Sequence, residues 1–200
     1  SIIYKPNSLR PGGNAPAIFF IQGYTCDSID YGMMPNLTTR QMVEQFSDAG
    51  YVVFRVEKPG MGDSVSDKHC RDIDFTAENN AFKKALKKLK KLPFVDADRV
   101  FLWGHSLGVL HAGVVADQQS VAGVIGYGGV YKQWYDYMLD IYRHQSTQHF
   151  DLSEAQAIAN TNRVRPFLAA WLKSDMPWRQ LLESPKVKKA MRGDLLPING

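Results

Sequence analysis

The sequence predicts an α/β fold with a doubly wound, mostly parallel sheet, and three observations carry that prediction. Short apolar runs recur at Ala17-Ile18-Phe19-Phe20-Ile21, Tyr51 to Val56, Val100 to Trp103 and Val121 to Tyr127. They are continuous rather than alternating, as strands covered on both faces are. Stretches of helical periodicity separate them, and alternation at this spacing builds right-handed βαβ units. The runs also end in glycine-bearing loops, at Gly23, Gly60, Gly104 and Gly128.

Composition narrows the class. Two hundred residues suit one domain, or one domain with an insertion, and can bury a sizeable core. No apolar run is long enough to span a membrane. Nothing at Ser1-Ile2-Ile3-Tyr4 reads as a signal peptide. Most of the net charge of +4 sits in Lys83, Lys84, Lys87, Lys88, Lys90 and Lys91. Phe82, Ala85, Leu86 and Leu89 interleave with these lysines at helical spacing, so the lysines form a solvated helix face. A nucleic-acid site would want arginines and aromatics among them, and they are not there.

Taken in order, Ser1 to Tyr4 reads as the tail of a strand and Lys5 to Pro16 as a turn-rich connection. The run from Ala17 to Ile21 is the first buried strand. A helix follows over Thr39 to Ala49, with Met42, Val43 and Phe46 inward and Gly50 as its stop. Tyr51 to Val56 is the next strand, and the lysine-rich helix spans Asp74 to Leu92. Val100 to Trp103 then leads into Gly104-His105-Ser106-Leu107-Gly108, and a helix runs from Leu107 to Asp117. Val121 to Tyr127 closes the alternation.

Gly104-His105-Ser106-Leu107-Gly108 is G-x-S-x-G between a strand and a helix, the setting of a nucleophile elbow. The tight turn forces Ser106 into a strained conformation and lifts its hydroxyl clear of the sheet. Gly104 and Gly108 sit where the returning helix would strike a side chain. The first N–H groups of that helix, Leu107 above all, point at a developing oxyanion.

Together these features resemble the α/β-hydrolases, in particular bacterial serine esterases and peptidase-like hydrolases. Gln22-Gly23-Tyr24 stands where that family usually has His-Gly-x, and Gly60-Met61-Gly62-Asp63-Ser64 and the elbow follow in family order. The resemblance implies that the Tyr24 N–H is the second oxyanion donor. Gln22 departs from the family pattern at a position that mainly holds the loop. The family order is Ser, then Asp or Glu, then His, so the general base should follow Ser106. His105 adjoins the nucleophile and points away, His111 reads as a buried core histidine, and His69 precedes the serine. His144 and His149 remain as weak base candidates, with Asp136 or Asp140 as the acid if the chain is complete.

The sequence thus divides into a partial hydrolase core over 1–130, a helical cap over 131–194 and the start of a return to the core over 195–200. Trp134, Tyr135, Trp171 and Trp178 are aromatic cap residues that line a pocket or pack the cap itself. Ser153 reads as an N-cap for a helix from Glu154. The expectation is a hydrolase truncated before the loops that carry acid and base. It would expose a sheet edge after Val121–Tyr127 through which copies self-associate.

Cys26 and Cys70 fall on loops at the carboxyl ends of neighbouring strands, so a bridge between them would pin the oxyanion loop. Two free thiols are the competing reading. A bridge would place the protein in the periplasm or outside the cell, and free thiols in the cytoplasm. No metal or organic cofactor is implied, since no ligand-spaced His/Cys cluster and no P-loop is present. The expected activity is hydrolysis of a small-molecule ester or amide, or of a peptide, through an acyl-enzyme on Ser106. The alternatives are a non-catalytic hydrolase-like binding module, or an acyltransferase or thioesterase on the same scaffold.

Overall fold

The apolar run Ala17 to Ile21 shows why the sheet has two covered faces. Successive side chains of a strand point to opposite sides. Ala17, Phe19 and Ile21 accordingly join one buried cluster, while Ile18 and Phe20 join another. The computed structural model describes residues 1–29, 37–174, 176, 178–185 and 187–188, with only the backbone of 178 and 179. The segment 195–200, expected to return to the core, lies outside the described residues. Two compact units are present, Ser1–Gly129 and Val130–Gly200.

In the first unit the described strands are β1 (Ile2–Tyr4), β2 (Ala15–Ile21), β3 (Val52–Arg55), β4 (Val95–His105) and β5 (Gly123–Tyr127). They form one sheet in the order β1-β3-β2-β4-β5. All neighbours are parallel except β1, which pairs antiparallel with β3. Helix α1 (Thr38–Asp48) covers one face, with Val43, Met42 and Phe46 packed on Ile18, Phe20, Val53 and Trp103. Helices α2 (Phe75–Leu89) and α3 (Gly108–Gln118) cover the other, through Phe82, Leu86, Leu89, Ala112 and Val115. The sheet is doubly wound.

Two boundaries differ from expectation for local reasons. β4 begins at Val95 rather than Val100, because buried Val95 pairs with Ala15 before a register shift. The polar residues of that shift turn outward, where Arg99 donates to Asp96 at 2.7 Å. The lysine helix starts one residue later than expected because Asp74 is its N-cap, accepting from Ala77 N at 2.8 Å. Two of its lysines reach neighbours: Lys83 donates to Gln118 at 2.8 Å, and Lys90 to the Ser120 carbonyl at 2.5 Å. β5 is an edge strand among the described residues, with Val124, Ile125 and Tyr127 exposed.

The second unit is helical where described. The helical cap opens with α4 (Trp134–Asp140), a π-helical segment at Ile141–Gln145 and the short α5 (Ser146–His149). The wider winding coincides with the buried Ser146 hydroxyl, which donates back to the Tyr142 carbonyl. Helix α6 (Glu154–Leu172) opens on a capping box between Ser153 and Gln156 and runs through Pro166. Leu139, Val164 and Leu168 pack it against α4. Helix α7 is Trp178–Glu183. No helix among the described residues is long and apolar enough to cross a membrane.

Candidate active site

β4 delivers the chain to the carboxyl end of the sheet, where it turns into α3 within three residues. Ser106 has φ 55, a left-handed conformation that costs a non-glycine residue on the order of 1 kcal/mol or more. The turn closes through Val109 N to Ser106 O at 3.1 Å and Leu110 N to Leu107 O at 3.0 Å. The Ser106 N–H is held at 3.0 Å by the Tyr127 carbonyl of β5. Leu107 stands at the head of α3, where backbone N–H groups have no partner within the helix.

Two glycines are required here by contact. A Cβ on Gly108 would lie 2.7 Å from the Gln22 carbonyl and nearer still to that of Ile21. One on Gly104 would lie 2.6 Å from Val109 Cα. The loop after β2 also comes close: a Cβ on Gly23 would meet Ser106 Cβ at 3.1 Å and Oγ at 3.4 Å. The loop carrying Gly23 and Tyr24 therefore lies directly against the serine.

That loop is tied down at two points beyond Tyr24. Cys26 and Cys70 are disulfide-bonded across 44 residues of sequence, so the two described cysteines are not free thiols. Glu57, in the loop after β3, accepts from Ser28 Oγ at 2.7 Å and from Ile29 N at 3.2 Å. Gly60, with φ 78, is pressed so close to the loop before Cys70 that a Cβ would lie 2.7 Å from Cys70 N.

The histidines fall out differently. His105 stacks on Tyr127 at 5.4 Å, and partial burial pulls its pKa below the ordinary value. His111 is fully buried. Its Nε2 lies 2.9 Å from Glu78 Oε2 and its Nδ1 3.0 Å from Asn79 Oδ1. The other Glu78 oxygen lies 3.0 Å from Lys58 Nζ. Both contacts to Glu78 are set off the hydrogen-bond axis; the one to Lys58 is an ion pair, and the one to His111 becomes one when the ring is protonated. Burial lowers the pKa of His111 and of Lys58, with Glu78 pulling the other way in each case. His144 lies in the π-helical segment and His149 at the end of α5, both exposed and both in the second unit. Among the described residues no carboxylate pairs with either ring. Asp140 is taken up by an ion pair with Lys132.

The cap aromatics have partners within their own unit: Lys173 Nζ lies 3.7 Å over the Tyr135 ring, Trp134 meets Tyr137, and Trp171 meets Phe167. The Trp178 side chain lies outside the described residues. Sequence reasoning missed the buried set Lys58, Glu78 and Asn79. A signal existed: Glu78 and Asn79 continue the inward stripe of Phe82, Leu86 and Leu89 one turn earlier, where apolar residues would be expected.

Three solved structures share this arrangement of strands and helices. The α/β-hydrolase GrgF from Penicillium sp. sh18 superposes with a TM-score of 0.53 at 17% identity, covering 74% of this chain and 47% of that one. The chain has the α/β-hydrolase fold. A hypothetical protein from Pseudomonas aeruginosa gives 0.53 at 14% identity, covering 90% and 56%. DcsB, in complex with its substrate analogue, gives 0.50 at 20% identity, covering 76% and 50%. The chain spans about half the length of these α/β-hydrolase-fold structures. The sequence matches no family model and no curated protein.

Proposed function

We propose that this chain carries the nucleophile of a serine hydrolase acting on an ester or amide carbonyl. The carrying observation is the left-handed Ser106 at a strand–helix junction that only glycines at 104 and 108 allow. Ser106 Oγ attacks the carbonyl carbon, and its proton passes to a general base. The oxyanion is held by the N–H groups of Leu107 and Tyr24, each worth about a hundredfold or more in rate. Collapse of the tetrahedral intermediate releases the alcohol or amine, which takes the proton, and water then frees the acyl group from Ser106. His111 is not that base, since both ring nitrogens are engaged in the core. The base is His144 or His149, or belongs to a longer polypeptide.

Fluorophosphonate labelling read by intact mass tests this reading. Labelling of the chain that disappears in Ser106→Ala supports an activated nucleophile. Absence of labelling, both here and in a longer chain continuing past Gly200, would sink it in favour of a binding module. The Cys26–Cys70 bridge favours an oxidising compartment, periplasmic or extracellular, and the reading fails if the protein purified from its source has both thiols free.

We further propose that the edge of β5, unpaired among the described residues, lets a second copy of the chain pair with it. A single monomer peak in size-exclusion chromatography at high concentration would refute this.

A further inference from the structure

The set around His111 is organised too specifically to be filler. Asn79 Nδ2 donates to the Phe75 carbonyl at 2.9 Å, which fixes the amide orientation and turns Oδ1 toward His111 Nδ1. An acceptor there requires Nδ1 to carry hydrogen. Nε2 then faces a Glu78 oxygen at 2.9 Å, a contact that two lone pairs would make repulsive. The charged groups facing the ring are Glu78 from α2 and Lys58 from the loop after β3. The rest of its surroundings include Asn79, the stacked Phe75 ring at 4.2 Å and the edge of Phe82 at 5.2 Å.

The set also touches the supports of both proposed oxyanion donors. His111 N bonds to the Leu107 carbonyl at 3.3 Å, so the ring sits one turn along the helix that Leu107 opens. Lys58 directly precedes the Pro59–Gly60 loop, which packs on Cys70 and so on the disulfide to Cys26.

We propose that His111 Nε2, facing Glu78 and Lys58, carries a titratable proton and that the ring is a positioning element that sets the placement of the Leu107 N–H. The assignment of that N–H as an oxyanion donor rests on the hydrolase reading; the titrating ring does not. Gain of the proton gives an imidazolium drawn toward Glu78, and its loss removes that pull from the first turn of α3.

The test is nitrogen-detected histidine NMR on the full chain, followed together with the Leu107 amide resonance across about pH 4 to 8. His111 Nδ1 is expected to stay protonated while Nε2 titrates below the usual histidine range, and the Leu107 amide should move with the same midpoint. In Glu78→Gln the carboxamide can donate to Nε2, so the ring stays neutral and both titrations vanish in a folded protein. A Leu107 amide that ignores the His111 transition overturns the proposal, as does one that titrates unchanged in the variant. A His111 ring that stays in one state down to acid unfolding also overturns it. Should Glu78→Gln fail to fold, the wild-type co-titration decides alone. Failure of Ser106 to label would remove the hydrolase reading and leave this result standing.

Discussion

Ser106 and His111 lie five residues apart on one strand–turn–helix, yet opposite physics holds them. The serine turn is shaped by backbone proximity: glycines at 104 and 108 let β4, α3 and the end of β2 close on one another, and Gly23 lets the loop after β2 approach Ser106. The histidine is held by polar partners in a buried cluster drawn from a loop and two helices. The first arrangement stores strain, and the second stores desolvation. Substitutions at the glycines of the turn should therefore act through sterics, and changes at the cluster should follow protonation.

The largest effect is expected from Gly108→Ala, whose Cβ would enter backbone carbonyls that cannot retreat without moving β2. A loss on the order of 4 kcal/mol or outright failure to fold is expected, read by urea denaturation. A folded variant of near-normal stability would refute the close-approach account. Glu78→Ala comes next. It strands Lys58 without its counter-ion and leaves His111 Nε2 without its facing carboxylate, at about 3–5 kcal/mol, and the loss should be heaviest at low pH, where the ring takes up a proton. Equal losses at all pH values would argue that the cluster is mere packing.

Replacing both Cys26 and Cys70 with serine removes a cross-link over 44 residues and should cost about 2–4 kcal/mol through the unfolded chain. It should also lower Ser106 labelling if the bridge pins the loop beside Gly23. The pH dependence of the wild type is smaller. Burial lowers the His111 pKa from 6.5, so between that value and the native one the unfolded chain binds more protons than the folded chain. Stability therefore rises with pH through this window and falls as pH drops below about 6.5. Thermal melts that flatten or reverse there would contradict the sign. Smallest, and opposite in direction, is Ser106→Gly, which relieves the left-handed backbone and should stabilise by about 1 kcal/mol while abolishing labelling.

Much of this was legible in order of chain. The central strands announced themselves because parallel strands buried on both faces write uninterrupted apolar runs, as Ala17 to Ile21 does. Ser106 was legible because its signature is local: Gly104 to Gly108 are five consecutive residues, although β2 and β5 supply the contacts that hold the turn. The disulfide was legible by placement, since the fold brings the two loops to one end of the sheet. The π-helical segment after Asp140 was not, because the apolar spacing there is the same for an ordinary helix and the change in winding leaves no mark in residue type. Nor was the beginning of β4 at Val95, where polar residues mask a strand that continues by pairing.

By itself the sequence determined the α/β alternation, the two-faced burial of the sheet and the position of the strained serine, all consequences of local pattern and backbone sterics. Only the tertiary structure decided what surrounds His111. Lys58, Glu78, Asn79 and His111 come from three separate segments, and nothing in their spacing links them. A buried charge is tolerated only where its partners arrive, and those partners are known only once α2 and α3 have packed on the same face of the sheet.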